Sequence, residues 1–196
     1  MDWTFGTFIR SRSTRFGSNP NGSFTWSGIT MFLPIGWFWG EGECSGNNRQ
    51  NMEYAPLYNA GFVNISNEQL EDTFLGPFDN KTRRAYLLSR FGALLDRFKE
   101  TGLNAELWID GSFATLKPEP GDIDLIFFVD EIQLNLLPPD KRVIILELNN
   151  RTISQIRYNC DVFIVTKQNI NRRSYWRGWF GFSRDEEPKG IIRLYI

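Results

Sequence analysis

Residues 107–129 constrain the fold most. An apolar run ends in Gly111-Ser112, a polar, Pro-rich segment follows, and Asp122-Ile123-Asp124 opens a second apolar run that closes at Val129. The second run is short and rich in Phe and Ile, which is the pattern of a buried strand rather than a helix. Side chains two apart on a strand share a face, so Asp122 and Asp124 point the same way while Ile123 and Leu125 turn to the core.

Two like charges at one strand end repel each other and lose hydration, so they need a compensating charge. A divalent cation supplies it most directly, and carboxylate oxygens suit Mg2+ or Mn2+ better than zinc. Glycine lets the backbone approach a phosphate closely, a helix start after Gly111 would aim N–H groups at it, and the Ser112 hydroxyl adds a donor. Asp-Ile-Asp alone would fit a turn cap or a lysine partner, and Gly-Ser alone is less specific still. Together, with Asp161 on a later apolar run (158–165), they form a constellation.

That constellation resembles the signature of the DNA polymerase beta superfamily of nucleotidyltransferases, in which a third aspartate on a neighbouring strand completes the site. The closer resemblance is to a poorly characterised family of small nucleotidyltransferase-like proteins of bacteria and phages. It is carried by Trp108-Ile109-Asp110-Gly111-Ser112-Phe113, by Tyr175-Trp176-Arg177-Gly178 through Gly181-Phe182, and by Pro188-Lys189-Gly190-Ile191. It covers residues 52–196 and leaves 1–51 outside.

The resemblance implies an α/β (α+β) fold, a mixed sheet flanked by helices. It implies metal-dependent transfer of a nucleotidyl group from a nucleoside triphosphate (NTP) to an acceptor hydroxyl on an RNA end, a protein or a small molecule. Asp122, Asp124 and Asp161 would be the catalytic metal ligands, and Gly111 and Ser112 would orient the phosphates. A toxin–antitoxin or phage-defence setting with an antitoxin-like partner is implied by resemblance only. The competing expectation is an inactive module of the same fold that binds nucleotide, RNA or a partner protein. A phage structural protein is a third class.

Composition narrows the chemistry. The chain has no histidine, which excludes Ser-His-Asp triads, Cys-His dyads and His-based zinc sites. A general base must then be a carboxylate, a lysine, a tyrosine or water. Net charge is -1, so bulk electrostatics argue for neither nucleic acid nor a membrane surface. Two cysteines, Cys44 and Cys160, are too few for a disulfide framework, and a reducing, cytoplasmic compartment is expected.

Residues 1–51 differ in texture, being rich in Gly, Ser, Asn, Thr, Phe and Trp. They read either as a small β-rich appendage or as an extension ahead of a functional start at Met52; the second reading is favoured. The apolar run at 29–40 is broken by Pro34 and Gly36 and is too short to span a membrane.

From Met52 the elements follow in order. Residues 54–64 read as extended and turn-rich. Ser66 with Gln69 is a capping-box pattern, and Gly76-Pro77 stops the helix it opens. Asn80 caps a second helix built on Leu87, Leu88, Phe91, Leu95 and Phe98 and ended by Gly102, with Arg83, Arg84, Arg90 and Arg97 on its wet side. Strands are expected at 106–109, 124–129, 161–165 and 190–195, helices at 139–148, 149–157 and 172–180, and a loop at 134–137. Asp110 is read as structural, orienting the Gly-Ser turn or pairing with a nearby cation. Arg172, Arg173, Arg177, Arg184 and Lys189 read as a solvated surface, or as groups of which one or two reach triphosphate or an acceptor strand. Trp176, Trp179 and Phe180 read as core rather than a stacking platform.

Overall fold

The sequence alternates short apolar runs with amphipathic stretches, and the computed structural model resolves this into one mixed sheet flanked by helices. It describes residues 54–196, which lie within a single compact unit, Arg49–Ile196. The expected β-rich extension falls outside the described residues.

In chain order the elements are β1 (Gly61–Asn64), α1 (Leu70–Leu75), α2 (Thr82–Lys99), β2 (Ala105–Asp110), β3 (Ile123–Val129), α3 (Glu131–Asn135), α4 (Pro139–Leu148), α5 (Arg151–Tyr158), β4 (Cys160–Thr166), α6 (Ile170–Phe180) and β5 (Gly190–Tyr195). The sheet order is β1-β5-β2-β3-β4. β2 pairs antiparallel with β3 and β5, while β3–β4 and β1–β5 are parallel.

Strand alternation divides the apolar residues between two faces. Leu107, Ile109, Leu125, Phe127 and Val162 meet Phe74 of α1, Leu87, Phe91, Leu94 and Phe98 of α2, and Ile144 and Leu148 of α4 in the larger core. Trp108, Ile126 and Phe128 meet Trp176 and Phe180 of α6 in the smaller one. Glu106 shares this second face. Although buried, it accepts from Trp108 Nε1 (2.8 Å) and from Arg173 Nη2 (2.7 and 2.9 Å). Burial alone would raise its pKa, but these donors hold it below the ordinary range.

Local signals place most element ends. Ser66 N–H donates to Gln69 Oε1 at 2.9 Å, and Asn80 Oδ1 accepts from Thr82 N–H at 3.1 Å. Gly102 turns the chain at φ +75° after α2. Asn159 ends α5 at φ 52°, a left-handed conformation that Asn tolerates, and so leads the chain into β4.

Three readings need correction. Arg84 is not on the wet side of α2; it is fully buried. Trp179 is not core; it is 62% exposed, because it shares its stripe with exposed Tyr175, one turn back, while Trp176 and Phe180 share the buried one. Residues 134–137 are not simply a loop, since α3 covers 131–135, capped by Asp130 accepting from Gln133 N–H at 3.0 Å. The extended stretch 54–64 ends in β1, a paired edge strand. Among the described residues no helix is long and apolar enough to cross a membrane.

Candidate functional site

Register brings the aspartates together. Asp110 of β2 is opposite Asp124 of β3, and Asp124 is beside Asp161 of β4. Residues level with one another on adjoining strands share a face, so three strands contribute one carboxylate each to a single row. Asp122, two residues ahead of Asp124, extends it. The row lies on the face of Trp108 and α6, at the end of that smaller core. Asp124 and Asp161 are therefore level on adjoining strands with Asp122 two residues ahead, and Asp110, read as structural from sequence, belongs to the same row.

Four acids in one place need partners. Lys189 Nζ is 2.8 Å from Asp110 Oδ1 and donates to Oδ2 at 2.9 Å, so Lys189 is no solvated surface group. Arg151 Nη2 is 3.0 Å from Asp161 Oδ2, and Gln155 Nε2 donates to Asp122 Oδ2 at 3.0 Å. Among the described residues two cations thus face four carboxylates. Asp161 Oδ1 is buried without a hydrogen-bond partner.

The imbalance shows in the proton affinities. Burial, then the charges of Asp122, Asp110 and Asp161, push Asp124 up to about 7. Burial raises Asp110 to about 6 against the pull of Lys189. Asp161 is also raised by burial, with Arg151 opposing. Neighbouring Cys160, buried as expected, has its thiol pushed up by the same burial, with Asp122 and Asp124 adding to the effect.

The Gly-Ser turn abuts this row. Gly111 adopts φ +76°, and a Cβ there would lie 1.8 Å from Asp124 Oδ2. Only glycine allows both the conformation and the approach of the carboxylate. The turn continues as a short 3-10 helix, Gly111–Ala114, with Ser112 half-exposed at its start and Phe113 buried against Phe74.

Two arginines hold the connection from this turn to Asp122. It contains Pro118 and Pro120, which cannot donate, so its carbonyls need donors from elsewhere. Arg84 reaches it from α2 and donates to Phe113 O (2.9 Å), Thr115 O (2.6 Å) and Lys117 O (2.8 Å). Its guanidinium stacks 3.7 Å from the Phe78 ring centroid. Burial lowers its pKa to about 10, so it stays charged at neutral pH. Arg83 donates to Pro120 O at 3.0 Å and to Gly121 O. Sequence reasoning missed this clamp. Its signal was spacing: Arg84 stands on the same helical stripe as Leu87, Phe91, Leu94 and Phe98.

The donor set suits a hard cation, since it is oxygen throughout and includes the unpartnered Asp161 Oδ1. Among the described residues, however, no three acidic or thiol side chains converge closely enough to hold a metal ion. Arg151 and Gln155 hold Asp161 and Asp122 instead. Two surface depressions, of about 510 Å³ and about 300 Å³, share Thr166 and Asn169 and lie at the other end of β4. Neither includes an aspartate of the row, so we place the site by its chemistry and not by concavity.

The profile of one family covers residues 51–195 and with them the whole sheet and the acidic row. The chain belongs to this family of unknown function (DUF6932). No curated protein and no solved structure matches it.

Proposed function

We propose that this DUF6932 protein is a divalent-metal-dependent nucleotidyltransferase that moves a nucleotidyl group from an NTP to an acceptor hydroxyl. The observation that carries the reading is the in-register row Asp110–Asp124–Asp161 beside the positive-φ Gly111. The resemblance to the DNA polymerase beta superfamily implies Asp122, Asp124 and Asp161 as the ligands, and the row contains Asp124 and Asp161 with Asp122 at its edge.

Asp122, Asp124 and Asp161 would hold Mg2+ or Mn2+, with Asp161 drawn off Arg151. When bound, the cation would offset triphosphate charge and lower the pKa of the acceptor hydroxyl. Gly111 lets the backbone come close to the β- and γ-phosphates, and Ser112 offers a hydroxyl donor. The acceptor oxygen bonds to the α-phosphorus, the bond to the bridging oxygen of the β-phosphate breaks, and pyrophosphate leaves. The acceptor's proton passes to Asp161 or to water. Lys189 keeps Asp110 paired, and Arg83 and Arg84 fix the connection that delivers Asp122. Positioning and charge stabilisation supply most of the rate.

A second reading, a module that binds nucleotide, RNA or a partner protein without turnover, is favoured by one observation: Arg151 and Gln155 already hold two of the three acids. From its sparse cysteines we also propose a cytoplasmic location, and by resemblance alone a toxin–antitoxin or phage-defence setting.

The test combines magnesium with each labelled NTP and reads thermal stabilisation, pyrophosphate release and label transfer. Transfer lost in Asp122→Ala and in Asp124→Ala, with folding intact, supports the transferase. Full transfer in both variants overturns it. Stabilisation without pyrophosphate across many acceptors favours the module.

A further inference from the structure

The outer side of α6 is built unlike the rest of the surface. Tyr175 is 55% exposed and Trp179 62% exposed, and their rings lie within 11° of parallel at 6.3 Å between centroids. Arg172 stands three residues before Tyr175, so all three side chains follow one stripe. The helix carries Arg172, Arg173 and Arg177 and no carboxylate, in a chain whose net charge is -1. Arg173 is committed to Glu106, whereas Arg172 is exposed and, among the described residues, pairs with no acid.

The stripe also leads to the acidic row. α6 starts beyond the far end of β4 and runs back toward β5. At its C-terminal end Lys189 N–H donates to Gly181 O at 2.8 Å, while Lys189 Nζ holds Asp110. Trp179 is therefore at the end of the helix tied to the carboxylates, and Arg172 at the remote end.

We infer that Arg172, Tyr175 and Trp179 form a stacking platform for single-stranded nucleic acid, which leads a strand end toward the carboxylates. The π faces of Tyr and Trp accept any base, and an arginine with no carboxylate near it pairs with a phosphate. A protein partner would fit two exposed rings equally well, but it gives no reason for a helix free of acids. The role of that strand as acceptor rests on the transferase reading; the binding does not.

Anisotropy of a labelled oligouridylate, the matching oligothymidylate and a hairpin duplex, added to the full chain without metal or NTP, tests this. The single strands should bind better than the duplex, with affinity falling as salt rises. Binding of both single strands, or of uridylate alone, supports the platform, and the second result names RNA as its ligand. The double variant Tyr175→Ala/Trp179→Ala removes exposed rings, so it should fold normally and bind on the order of tenfold or more weakly. Arg172→Ala should reduce the salt slope by about one. No binding, equal binding of duplex, unchanged affinity in the ring variant, or self-association through these rings would overturn the inference. Strand binding with no transfer by the wild type would end the transferase reading and leave the platform standing.

Discussion

The two faces of the sheet use the same strands for different ends. One face carries Leu107, Ile109, Leu125 and Phe127 under α1, α2 and α4 in the larger apolar core. The other gives its middle to Trp108, Ile126 and Phe128 under α6, and its end to Asp110, Asp122, Asp124 and Asp161. The first face stabilises the fold by removing side chains from water. The second gathers like charge, which raises the proton affinity of Asp110, Asp124 and Asp161. One strand can do both because alternation separates the two sets of side chains by a single residue.

The largest contrast should come from emptying the apolar face. Phe91→Ala, at a fully buried position, should destabilise the protein by about 3–5 kcal/mol in denaturant unfolding. A loss below about 1 kcal/mol would show that this face is not the main support.

Arg84→Ala should rank next, at about 3 kcal/mol, because it strips the donors from Phe113, Thr115 and Lys117 carbonyls. Its distinctive readout is faster amide exchange and proteolysis across residues 113–121, next to the acids rather than in the core. Arg84→Lys should not restore the loop, since one ammonium cannot reproduce a planar fork.

The acidic row should behave in the opposite sense. Burial and then its acidic neighbours raise the folded pKa of Asp124 from the ordinary carboxylate range to about 7. The native state therefore holds a proton that the unfolded chain releases at lower pH. Stability should fall as pH rises from about 4 through about 7 and level off above that, and Asp110, raised to about 6, adds the same sign. In metal-free protein Asp124→Asn should flatten this slope and raise stability near pH 8 by about 1–2 kcal/mol. A melting temperature that rises with pH across this window would contradict the imbalance.

The smallest effect should be at the rim. Arg97→Ala removes bonds to Glu100 and Glu147 and should cost about 1 kcal/mol or less.

Much of the fold was legible because it is periodic. The helix at 139–148 and the strand at 190–195 follow from spacing and from Pro and Gly at their ends. The apolar runs also declared the strands that carry Asp124 and Asp161. What was not legible depends on register and on pairing at a distance. Asp110 joins the row only once β2 and β3 are aligned, and its cation lies 79 positions along the chain. Arg84 looked solvent-facing because its charge outweighed its position on the apolar stripe; the carbonyls that reward its burial belong to another segment. Trp179 was grouped with its neighbours by residue type, although helix geometry turns it outward.

The central claim is that the row is a cation site for an NTP. Calorimetric titration of Mg2+ and NTP into wild type and Asp124→Asn tests it most directly. The account predicts saturable, magnesium-dependent NTP binding in the wild type that is lost in a stably folded Asp124→Asn. Equal binding by both proteins, or none by the wild type, would contradict it.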